Sequence, residues 1–214
     1  MKRFLRNALT VPAWLLAAAG VAQAHPHVWV TMTSTVIYAA DGTVTGIRHA
    51  WTFDDMFSTF AVQGLESKQK GVFSREELQP LAEVNVTSLK EYDYFSYAKA
   101  NGQKALFIDP VDYHLEHKDA LLTLHFTLPL KAPVKAKELE LEVFDSAYFI
   151  DFSFAEKDAV ALKGAPAACK GSLVKADEMP KDLQQRLSQI GPNEQIPANT
   201  FGAQFTSKIV VKCP

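Results

Sequence analysis

The chain has 214 residues, 48% of them hydrophobic and 21% charged, with 22 basic side chains against 24 acidic ones. That length and apolar content suit one domain, or two small ones, with a real core. A slightly acidic balance without a basic run excludes nucleic acid as the natural partner, which requires a basic face, and no repeat or low-complexity tract marks a disordered tail.

Lys2, Arg3 and Arg6 make a basic start, residues 8–20 a mostly apolar run broken by Pro12, and Ala22-Gln23-Ala24 a small-x-small cleavage motif. The run falls short of the ~18 to 20 apolar residues that a spanning helix requires. Residues 1–24 are therefore read as a signal peptide, and 25–214 as a single exported, β-rich domain that does not span the membrane after cleavage. Cys169 and Cys213 are the two cysteines. Export takes them to an oxidising compartment, where a disulfide is the simplest reading; a cysteine metal site lacks a neighbouring Cys or His at ligand spacing.

Along the mature chain, residues 28–38 read as a strand, Asp41-Gly42 as a hairpin turn and residues 43–53 as the partner strand. A helical insert follows over 54–100. Asp54-Asp55 cap its first helix, Ser74 with Glu77 forms a capping box for the second, and a third piece runs from Leu89 to Ala98 and stops at Asn101-Gly102. Strands resume at 105–108, and a hairpin over 112–128, turning at Lys118-Asp119, sets Asp112 opposite His125 and His114 opposite Thr123. Further short strands fall at 138–143, 149–154, 159–162 and 204–212, with a late helix over 180–190 stopped by Gly191-Pro192. The pattern predicts a mainly β, α+β fold, an antiparallel sandwich or open barrel carrying the insert.

The stretch that begins the mature chain, His25-Pro26-His27-Val28-Trp29, carries the strongest chemical signal. Its imidazoles share one side of an extended segment, and cleavage adds a free amine. Pro26 has no amide proton to lose, so an amide-nitrogen copper or nickel chelate is ruled out and further ligands must come from the folded body. His49, Asp54, Asp145 and Asp151 are the candidates, with His49 imagined facing His27 across the first hairpin. Asp112, His114 and His125 form a smaller constellation, of a kind that exposed sheet faces commonly carry.

Residues 66–77 have the frame of a calcium-binding loop, with Gly71 sixth and Glu77 twelfth, but Glu66, Lys68 and Lys70 hold positions one, three and five. Two ammonium groups repel a cation, so this loop is expected to keep the shape and not the ion. No Gly-x-Ser-x-Gly elbow, phosphate-cradling Gly loop or His-Glu-x-x-His helix is present, and the chain is read as a non-enzyme.

These residues together, His25-Pro26-His27-Val28-Trp29, Trp51-x-Phe53-Asp54-Asp55-x-Phe57-Ser58, the 71–78 loop, Asp145-x-x-Tyr148-Phe149 and the Cys169…Cys213 pair, resemble a family of periplasmic domains of unknown function. Its members are often described as the periplasmic component of an ABC-type transport system and occur beside nickel/cobalt-exporter-like permeases. The resemblance implies a periplasmic accessory that captures or delivers Zn, Ni, Co or Cu through His25 and His27 and meets an inner-membrane metal permease. Two other expectations are a metal-free interaction module docking such a permease and, last, a histidine-brace copper oxidase.

Overall fold

The computed structural model describes residues 26–187, 189 and 205–214. The expected leader at 1–24, His25 and the Gly191-Pro192 stop lie outside these residues. In chain order the first elements are β1 (Val28–Tyr38), β2 (Val44–Phe53), α1 (Asp55–Ala61), α2 (Arg75–Leu89), β3 (Ser96–Ala100) and β4 (Gln103–Ala105). Next come β5 (Val111–Lys118), β6 (Leu121–Val134), β7 (Glu138–Val143), β8 (Ile150–Phe154) and β9 (Val160–Lys163). The last are β10 (Lys170–Val174), α3 (Lys181–Leu187) and β11 (Lys208–Lys212). Among the described residues no helix is long and apolar enough to cross a membrane.

Period-two alternation builds two sheets. The first has the order β5-β6-β2-β1-β8, with β9 also on β1, and the second the order β10-β11-β7-β3-β4. Neither closes into a barrel among the described residues. Their inner faces share one apolar core, in which Trp51, Phe126 and Met32 of the first sheet meet Leu139, Leu141 and Ile209 of the second. The antiparallel expectation holds for most pairs, but β8 and β9 run parallel to β1. Cys169 and Cys213 are disulfide-bonded and flank the β10–β11 pair, in which Lys170 faces Lys212.

Two expectations are corrected. The helical insert ends at residue 95 rather than 100. After α2 a kinked, partly 3-10 stretch spans Lys90–Phe95, with non-helical backbone at Tyr92, Asp93 and Tyr94, and the chain then enters β3 instead of continuing as a helix. Asp93, Tyr94 and Phe95 all have positive φ, +52°, +54° and +49°. Such left-handed backbone costs ~1–2 kcal/mol per residue, and it is held here by the burial of Tyr94 and Phe95 in the core. Asn101-Gly102 is not a helix stop but the turn of the β3–β4 hairpin, with φ of +51° and +76° and Ala100 facing Gln103.

The second correction concerns the β5–β6 hairpin. Its turn is Asp119-Ala120, both at positive φ, and Lys118 pairs with Leu121. Moving the turn by one residue moves the partners of His114 to Lys118 by two, so these side chains keep their face but change neighbours, and an irregularity between Val111 and His114 shifts the far end of the ladder. His114 therefore faces His125, and Glu116 faces Thr123.

Candidate functional site

From residue 27 the chain enters the sheet at the β1–β8 edge. His27 donates its amide proton to the Phe149 carbonyl at 2.9 Å, and its ring packs on the Phe149 ring with centroids 4.7 Å apart. Farther along the parallel ladder Trp29 faces Asp151. Because side chains alternate, His27, Trp29, Phe149 and Asp151 all lie on the outer face of this edge. Trp29 and Phe149 are exposed there, at 44% and 43%.

Two carboxylates fix this edge. Asp145, buried in the turn before β8, accepts amide protons from Ala147 at 2.8 Å, Phe149 at 2.9 Å and Ile150 at 3.1 Å. It thereby shapes the loop whose Phe149 carbonyl holds His27. Asp54 is the N-cap of α1, taking the Phe57 amide proton on Oδ1 at 2.8 Å, and takes the Trp29 amide proton on Oδ2 at 2.9 Å. Both expected ligands are thus committed to backbone amides, and positioning is the role the geometry gives them.

Asp151 differs. No described residue hydrogen-bonds its carboxylate, and burial holds its pKa above the usual carboxylate range. With Asp145 and Tyr148 it borders a cavity of about 70 Å³ that Met179 and Phe205 help to wall. Burial, and then the Asp151 charge, push the Tyr148 phenol upward as well.

His49 does not join the group. The β1–β2 register sets it opposite Ser34, seven residues beyond His27, roughly 23 Å along a strand. It is fully buried, with Nδ1 2.9 Å from the Ser34 hydroxyl and Nε2 3.4 Å from the Ser96 hydroxyl. Burial pushes its pKa down to about 3, so the ring is neutral, and it links the two sheets from within the core. Nothing in the sequence identified these serine partners, one of which lies on the other sheet.

The 66–77 loop holds itself shut. Glu77 accepts the Lys68 amide proton on Oε1 at 2.8 Å and the Ser74 amide proton on Oε2 at 2.7 Å, and these bonds lower its pKa. The carboxylate at the twelfth position therefore closes the loop with protein donors, while Gly71 makes the turn at φ +75°. Glu66, Lys68 and Lys70 supply no carboxylate cage for a cation.

On the outer face of the first sheet Arg48 pairs with Asp112 at 2.6 Å and reaches Thr127 at 3.0 Å. Beside them the His114 and His125 rings stack, with centroids 4.7 Å apart and planes 11° from parallel. Glu116 Oε2 lies 3.3 Å from His125 Nε2. Burial, the neighbouring imidazole and the Arg75 and Arg48 charges lower the His114 pKa; burial also lowers that of His125, against the pull of Glu116. Among the described residues no three His, Cys, Asp or Glu side chains are grouped so as to hold a metal ion.

A family model described as a protein of unknown function (DUF1007) matches residues 10–213. The chain belongs to the DUF1007 family. It is also 24% identical over 194 residues to an uncharacterized protein of Haemophilus influenzae, a match spanning 89% of this chain and 91% of that relative. The DUF1007 match covers both sheets, the insert and the disulfide, and so takes in every residue placed above.

Proposed function

We propose that this DUF1007 protein is an exported, periplasmic accessory of a metal transport system, which captures or delivers Zn, Ni, Co or Cu at the β1–β8 edge. His25 and His27 are its core ligands and Asp151 the carboxylate that completes the set. The observation that supports this most is Asp151, a half-buried carboxylate without a hydrogen-bond partner among the described residues, on the same outward face as His27. Asp54 and Asp145 serve by holding Trp29 and Phe149 in place rather than by coordination.

The cargo ion supplies the attraction for neutral imidazole and carboxylate, and protonated imidazoles release it, so binding weakens in acid. Delivery to an inner-membrane permease requires a docking surface. Trp29, Met56, Phe60 and Phe149, all exposed, lie on the segments that Asp54 and Asp145 organise, and they suit that role. The same surface favours a second reading, a docking module that holds no metal.

Calorimetric titration of the purified, exported protein with each metal tests the proposal. Asp151→Asn is expected to weaken binding by ~10-fold or more, and the His25→Ala, His27→Ala pair to abolish it. Wild-type affinity in the double-histidine variant refutes the metal reading. Permease co-purification that survives chelation in that variant selects the docking module.

A further inference from the structure

We infer that His114 and His125 form a second, independent transition-metal site on the outer face of the first sheet, two imidazoles with a carboxylate behind one of them. It rests on the β5–β6 pairing and not on the amino-terminal site at the β1–β8 edge, from which strand β2 separates it.

The geometry starts from the register. His114 and His125 are direct cross-strand partners, so one backbone pairing holds both imidazoles on one face. Their rings lie side by side with centroids 4.7 Å apart. A zinc ion with Zn–N bonds of ~2.0–2.1 Å takes two nitrogens ~3.3 Å apart, a separation compatible with two imidazoles whose centroids lie 4.7 Å apart.

The nitrogens are assigned by their neighbours. A carboxylate only accepts, so His125 Nε2, 3.3 Å from Glu116 Oε2, carries the proton of the neutral ring and leaves a lone pair on Nδ1. An outer carboxylate that fixes the tautomer of a ligating imidazole is the usual support of a histidine metal ligand. His114 Nδ1 is buried and has no hydrogen-bond partner among the described residues. Buried polar atoms are nearly always paired, and an ion shared with His125 pairs this one. Arg48 occupies Asp112 in an ion pair, so that carboxylate is not a ligand, and water fills the remaining coordination positions. An imidazole-preferring divalent ion, Zn²⁺, Ni²⁺ or Cu²⁺, is the ligand class.

Zn²⁺ titration of the full exported chain, followed through the imidazole ¹⁵N resonances, tests this. The His114 and His125 ring nitrogens are expected to shift together, in wild type and equally in a His25→Ala, His27→Ala variant. Glu116→Gln is expected to weaken that response by roughly 10- to 100-fold, and His125→Gln to remove the His114 shift while unfolding remains cooperative. Unmoved His114 and His125 signals in the presence of bound Zn²⁺ overturn the proposal, as does their loss in the amino-terminal variant. Failure of the amino-terminal reading shows instead as silent His25 and His27 signals, with the sheet pair still responding.

Discussion

Trp29 and Asp54 hold each other by two backbone-anchored hydrogen bonds: the Asp54 carboxylate takes the Trp29 amide proton at 2.9 Å, and the Asp54 amide donates to the Trp29 carbonyl at 2.9 Å. The same carboxylate caps α1. One side chain thus ties strand β1 to the start of the helical insert. Replacing it removes a helix cap and a strand anchor together. Asp54→Ala is expected to lower stability by ~1–2 kcal/mol in urea unfolding, and Asp54→Asn by less, because Asn keeps one acceptor oxygen for the cap.

His49 makes the fold acid-labile. Burial holds its folded pKa at about 3 against the ordinary 6.5 of a free imidazole, so between these values the unfolded chain binds a proton that the folded protein refuses. The full stability is present above pH ~6.5, where both states are neutral, and is progressively lost as pH falls toward 3, by up to ~5 kcal/mol at ~1.4 kcal/mol per pH unit. Denaturant midpoints measured from pH 7 to pH 4 are expected to fall less steeply in His49→Asn than in wild type. Parallel slopes refute the assignment.

The disulfide closes 44 residues between Cys169 and Cys213 beside the β10–β11 pair. In the loop-entropy model this contributes about 4 kcal/mol, by restricting the unfolded chain. Cys169→Ser with Cys213→Ser is expected to lower the guanidinium midpoint and to steepen the unfolding slope, because the unfolded chain without the cross-link is less compact. An unchanged midpoint rejects that role.

Glu77 is expected to keep the 66–77 loop closed without an ion. Glu77→Gln substitutes a neutral amide for the carboxylate that accepts from Lys68 and Ser74. Amide exchange at both positions is expected to accelerate in the variant, and added Ca²⁺ not to restore protection. Wild-type exchange rates at Lys68 rule out the carboxylate clasp.

Much of this was legible locally. β1, β7 and the α2 capping box stand where period-two alternation and Ser74 with Glu77 put them, because strand pleat and cap chemistry act over a few residues. Two local signals misled. Asn101-Gly102 serves equally as a helix stop or a hairpin turn, and only pairing with β7 selects β3 over a helix. A turn at Asp119-Ala120 rather than Lys118-Asp119 preserves the same alternation, so the pattern could not say whether His114 meets His125 or Thr123.

By itself the sequence determined the β-rich class, the first hairpin, the capped α2 helix and the pairing of two lone cysteines, all set by spacing, propensity or elimination. Tertiary structure alone decided which ligand candidates lie near one another. Parallel pairing of β1 with β8, across more than a hundred residues, brings Asp151 to the face of His27. The register of β1 with β2 seals His49 between serines of both sheets. Long-range register is chosen by burial summed over whole strands, and no single residue in the chain carries that choice.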